Sequence, residues 1–198
     1  ALPLDEWTKI TLVYQKSSQE LSFYFDDLYV SSHGSNLIGS PNPRTNYNLF
    51  IGADSEGQSY WLNAALDNLR IYNRALSATQ VAQLYEYEST PPAPKPIEEW
   101  IDNGLVAYYP FDGDARDASG NGNHGNAVGV TAVNDMLGNS NGAINFMGEG
   151  DFIEIKDSVD LRLANTDFTI TFWCYQRKPN SSRYPFSMFF FAGGESNY

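Results

Sequence analysis

Short runs of β-branched and aromatic residues, alternating with polar ones, recur along almost the whole chain. Period-two alternation buries one face only when the backbone is a strand. WTKITLVY (7–14) and LSFYFDDLYV (21–30) come first, with QKSSQE supplying the turn of a β-hairpin. After a polar loop with Pro41 and Pro43 comes NLFIGA; past a loop carrying Asp54, Glu56 and Gly57 comes AALDNLRIYN. Four or five short strands in about 70 residues predict an antiparallel sandwich.

The period changes once. Ser77 followed by Gln80 matches a capping box, and Val81, Leu84 and Tyr85 fall on one helical face, so a helix of about two to three turns is predicted there. It must end near STPPAPKP, because clustered prolines remove backbone donors and disfavour the α region before them. Residues 89–103 then read as a semi-rigid, extended linker. Beyond Trp100 the strands resume with GLVAYYPF, GAINFMG, DFIEIKD, FTITFWCYQ and SMFFFAGG, the last read as a buried strand. The Gly, Asn and Asp crowded into 112–126 favour left-handed backbone and Asx turns, which predicts an ordered loop. No internal repeat relates the two portions, so they read as different parts of a fold.

With 198 residues the chain allows one generous domain or two small ones. A net charge of -12 argues against nucleic acid, whose phosphates demand Lys and Arg. No apolar run approaches the roughly 20 residues of a bilayer crossing, so membrane insertion is not expected. The single cysteine, Cys174, cannot form an internal disulfide and reads as a small buried thiol in FTITFWCY. ALPLDEWTKI lacks the basic and apolar regions of a signal peptide, so secretion has to be argued from elsewhere.

Few residues form a chemical constellation. His33 lies in a Ser/Gly turn and His124 in the Gly/Asn loop, neither in a serine or cysteine nucleophile motif, and one Cys with two distant His cannot make a usual zinc set. Calcium is the more serious metal. DGDARDASGNGN packs Asp112, Asp114, Asp117, Asn121 and Asn123 into one loop, the oxygen-rich composition a hard cation needs, though without the closing Glu of an EF-hand. The alternative is that Asp117 and the Asn side chains only cap their own turns. Tyr60 and Trp61 could stack on a sugar ring, or pack on the sandwich. A glycosylation sequon stands at Asn180.

Two separate signatures resemble the laminin-G-like, concanavalin A-like jelly-roll domains of secreted and cell-surface proteins. LDNLRIYNRALSATQVAQLY, preceded by the strands at Trp7 to Asp26, is similar to the end of such a domain; GLVAYYPFDGDARDASGNGNHG, with AINFMGEGDFIEI and FTITFWCY, is similar to the beginning of one. The resemblance implies an all-β, antiparallel jelly-roll sandwich with one short helix after the last strand. In that reading residues 1–88 are a C-terminal half, 89–103 the linker and 104–198 an N-terminal half, with about 20–40 residues of a domain's middle missing. Either the chain is a slice through a tandem array, or the halves are permuted and pair with each other. An isolated half would expose sheet edges and an apolar face, and is not expected to be a stable monomer.

The superfamily also includes glucanases, which need two carboxylates on one strand face. Glu154 and Asp157 are three apart, which points them to opposite faces with Ile153 and Ile155 inward, so no enzyme is expected. In related glucanase folds an Asp of the last strand holds a structural calcium, a role the resemblance carries to Asp67. The expected ion set is therefore Asp67, Asp117, Asn121 and Asn123, with Tyr60 and Trp61 as ligand contacts. The expected function is a non-catalytic recognition or adhesion module of a multidomain surface protein, secreted, and bacterial given its scarce cysteine. Its partners would be an extracellular glycan or protein and neighbouring domains or copies. The alternatives are a filament subunit completing split sandwiches, and the carbohydrate-binding module of a secreted glycoside hydrolase.

Overall fold

The computed structural model describes residues 3–34, 48–53, 61–90, 100–148, 150–163, 166–177 and 191–192. The hairpin predicted first is present as β1 (Trp7–Gln15) and β2 (Glu20–Phe25). LSFYFDDLYV, read as one strand, is two: the chain reverses at Asp26 and Asp27 and returns as β3 (Leu28–Gly34). Asp26 takes a left-handed φ of 57°, as a two-residue hairpin turn requires and as Asp tolerates better than most residues. β4 (Leu49–Ile51) and β5 (Asn63–Tyr72) follow.

Helix α1 (Ala78–Ser89) starts where the capping box placed it. Ser77 Oγ accepts from the Gln80 amide and Gln80 Oε1 from the Ser77 amide. Its buried residues include Val81 and Leu84, as the periodicity requires. The remaining strands are β6 (Leu105–Tyr109), β7 (Gly125–Val128), β8 (Thr131–Val133), β9 (Ala143–Met147), β10 (Phe152–Ile155), β11 (Phe168–Gln176) and β12 (Phe191–Ala192). Most of SMFFFAGG lies outside the described residues. The end of the stretch read as linker is packed: Ile101 is buried among Val13, Tyr72 and Leu84, while Arg74 donates to the carbonyls of Trp100 and Asn103.

The strands form an all-β antiparallel sandwich. One sheet runs β3-β2-β1-β11-β5-β9-β8, with β6 also paired to β5; the other runs β12-β4-β10-β7. β11 therefore inserts between β1 and β5, and strands from the two ends of the sequence alternate across one sheet. The core between the sheets joins Ile10, Leu66, Leu69, Phe172 and Cys174 to Ile51, Ile153 and Ile155. Removing each such side chain from water contributes about 1.5–3 kcal/mol.

The opposite face of the large sheet is covered by α1, so β5 is buried on both sides. A bulge at Asn68, φ 50°, lets Leu66 and Leu69 both face the core. Gly52 joins the layers: its φ is 87°, its carbonyl accepts from Leu62, and a Cβ there would lie 2.5 Å from the Phe146 ring. Among the described residues no helix is long and apolar enough to cross a membrane.

Candidate functional site

The Gly/Asn loop is ordered, and Asp117 is its hub. Asp117 Oδ1 accepts from the backbone amides of Tyr108 (2.9 Å) and Ser119 (2.8 Å), and Oδ2 from that of Asn123 (2.9 Å). Burial alone would raise this carboxyl, but these amide dipoles overcome it and hold it below the usual range. Asn121 Nδ2 donates to the carbonyls of Leu105 and Val106, Asn123 Nδ2 donates to Val106, and Tyr109 Oη donates to the Asn123 carbonyl at 2.6 Å. Asp117, Asn121 and Asn123 are thus brought together, and their polar groups stitch the loop to β6. Asp117 already has three N–H donors in the place where a cation would draw on its oxygens.

Asp67 stands elsewhere, on the outer face of β5 opposite Trp173. Tyr108 links the loop to its neighbour in β5: its amide donates to Asp117 and its hydroxyl to Asn68 at 2.6 Å. Asp67 is 1% exposed, and among the described residues its Oδ1 has no hydrogen-bond partner. Burial, then the negative charge of Glu88 and Asp135, pushes its carboxyl up to about 8. Asp135 comes from the loop after β8, and with burial and Asp114 it also raises Asp112, the first residue of the Gly/Asn loop region. A buried carboxylate oxygen left without a donor beside a second carboxylate is what a hard cation satisfies. Among the described residues, however, no three His, Cys, Asp or Glu side chains converge as a metal set.

The second sheet carries a different surface. Ile153 and Ile155 point into the core, so Phe152 and Glu154 face outward, as the spacing of DFIEI predicted. Glu154 pairs in register with Asn126 on one side and Phe50 on the other. Its Oε1 accepts from Asn48 Nδ2 at 2.6 Å, and Asn48 Oδ1 accepts from the Asp157 amide at 3.0 Å. Phe50 and Phe152 lie 5.7 Å apart beside them. A groove of about 830 Å³ opens along this edge, lined among others by Asn121, His124, Asn126, Glu154, Lys156 and Asp157.

The groove depends on a close approach of β7 to its neighbours. A Cβ on Gly125 would lie 2.5 Å from Ile153 Cγ2 and 3.1 Å from the Ala115 carbonyl oxygen. Trp61 is half-buried where the chain enters β5, and Tyr60 lies outside the described residues. Sequence reasoning did not find Asn48, Phe50 or Asn126, since only the pairing of β4, β10 and β7 sets them beside Glu154.

A carboxylate and several amides thus line one open groove on the second sheet, with the Phe50–Phe152 pair next to Glu154 on the same sheet. Residues 1–82 match the Laminin_G_3 family model, described as the concanavalin A-like lectin/glucanases superfamily, and the strands that follow complete the same sandwich. The likeness to laminin-G-like domains lies within the first 82 of 198 residues. A comparison with curated proteins returned no match.

Proposed function

We propose that this protein is a non-catalytic carbohydrate-binding module of an extracellular, multidomain surface protein, with its sugar site in the groove on the second sheet. One observation carries the reading: Glu154 is held by Asn48, faces outward beside Asn126, and adjoins the Phe50–Phe152 pair. Sugar hydroxyls donate to a fixed carboxylate and exchange hydrogen bonds with amides, while the flat C–H face of the ring packs on an aromatic such as Phe152, the partly exposed member of its pair with buried Phe50.

A structural calcium ion at Asp67 is part of this proposal. The Oδ1 without a partner among the described residues and the nearby charge of Asp135 are what support it, and the ion would fix the loop after β8 to β5. Residues 1–88 and 104–198 are read as the C-terminal and N-terminal halves of a laminin-G-like domain that close on each other across 89–103. The placement of β11 between β1 and β5 supports that arrangement.

The test is a screen of neutral and acidic oligosaccharides on the full chain, followed by titration calorimetry of any hit. Replacing Glu154 by Ala is expected to reduce affinity at least tenfold while leaving the thermal transition in place. Unchanged affinity in E154A, or binding of none of the sugars, would remove the groove from this account.

A further inference from the structure

The last turn of α1 carries Glu88 over the outer face of the large sheet, where the side chains of three neighbouring strands meet it. Lys9 Nζ of β1 donates to Oε2. Trp173 Nε1 of β11 donates to the same oxygen at 2.9 Å, and Arg70 Nε of β5 donates to Oε1 at 3.0 Å. Lys9 is completely buried and Glu88 is 9% exposed. Lys9 pairs directly with Trp173 in register, and its ammonium lies 5.4 Å from the indole centroid. Seventy-nine residues separate the two partners in sequence, so only the folded chain brings them together.

An amine and a carboxyl held in contact away from water are reactants at very high effective concentration. The burial of two ions is costly, and converting them to a neutral group removes that cost. Burial also pushes the Lys9 ammonium down against the opposing influence of Glu88, which favours the free amine that a nucleophile must be.

We propose that Lys9 and Glu88 condense into an intramolecular amide crosslink that fastens helix α1 to strand β1. The step balances without a co-reactant. A proton passes from the ammonium to the carboxylate across their hydrogen bond. The Nζ lone pair attacks Cδ, and the carbonyl electron pair moves onto Oε1, facing the Arg70 N–H. A second proton moves from nitrogen to the Oε2 hydroxyl, the C–Oε2 bond breaks, and one water leaves as the carbonyl re-forms. One ammonium and one carboxylate become one amide and one water, with nothing oxidised or reduced. Arg70 and Trp173 touch the reacting carboxyl, one stabilising the oxyanion and the other positioning the leaving oxygen. The dry setting then shields the amide from hydrolysis.

Intact-mass spectrometry of the full chain, denatured after folding, tests this, with proteolytic mapping of the same sample. The expected result is a mass lower than that of the sequence by one water and a branched peptide joining Lys9 to Glu88. Lys9→Arg, which keeps the charge but not the nucleophile, is expected to restore the full mass. A wild-type chain at full mass that releases separate linear peptides containing Lys9 and Glu88 overturns the proposal, whether or not the variant folds.

Discussion

Asp67→Asn offers the most direct measurement of the buried acid on β5. The carboxyl goes from an ordinary 3.8 to about 8 in the folded chain, above all because burial opposes its ionisation. A folded value above the unfolded one means that the folded state binds the proton more tightly. The associated stability is complete below pH 3.8 and is lost as pH rises toward 8. Between pH 5 and pH 8 the loss is about 3–4 kcal/mol at 1.36 kcal/mol per unit. For a chain of this size that corresponds to about 7–14 °C in Tm.

Asn is close in shape to the protonated acid and does not titrate. In chelator, wild type and D67N should therefore have similar Tm values at pH 5, with the variant well above wild type at pH 8. Scanning calorimetry over a pH series reads this directly. Added calcium should raise the wild-type Tm at pH 8 and leave D67N unmoved, since an ion that binds only the folded state stabilises it. Parallel pH profiles for the two proteins would refute the buried-acid argument, and equal calcium responses would refute the ion.

Three further outcomes follow from other parts of the fold. Asp117→Ala leaves the amides of Tyr108, Ser119 and Asn123 without their acceptor, and at about 1–3 kcal/mol for each unsatisfied group it should lower denaturation midpoints substantially. Because the folded Asp117 carboxyl is depressed, the stability it contributes is present above pH 3.8 and lost as pH falls through the depressed value, so the wild-type advantage over D117A should shrink in acid. Gly125→Ala drives a methyl into Ile153 and the Ala115 carbonyl and should cost about 1–3 kcal/mol by overpacking, read as a lower urea midpoint. Cys174 is 2% exposed and burial pushes its thiol up to about 12, so a thiol reagent at pH 8 should label it only after denaturation.

Much of the site's chemistry was legible only in fragments. Glu154 could be read as outward-facing because Ile153 and Ile155 alternate with it, a strictly local signal. Its partners could not. Asn48 lies 106 residues away and reaches Glu154 only because β4 pairs with β10. The Gly/Asn loop was legible as a turn-rich segment, and the structure has Asp117 accepting three backbone amides there. That Asp67 is buried with an oxygen lacking a partner among the described residues was not legible, since LDNLRIY shows an acid in a strand and nothing of what covers it.

The sequence by itself determined what depends on neighbours along the chain. The capping box at Ser77, the period of each strand, the positions of most turns and the sandwich class all rest on backbone sterics and on alternation within a few residues. Tertiary structure alone decided the order of the strands, the burial of β5 on both faces under α1, and the meeting of Lys9, Arg70 and Trp173 at Glu88. Those depend on which distant surfaces exclude water together. Hydrophobic burial is non-directional and gives a strand no address for its partner until the whole sheet has assembled.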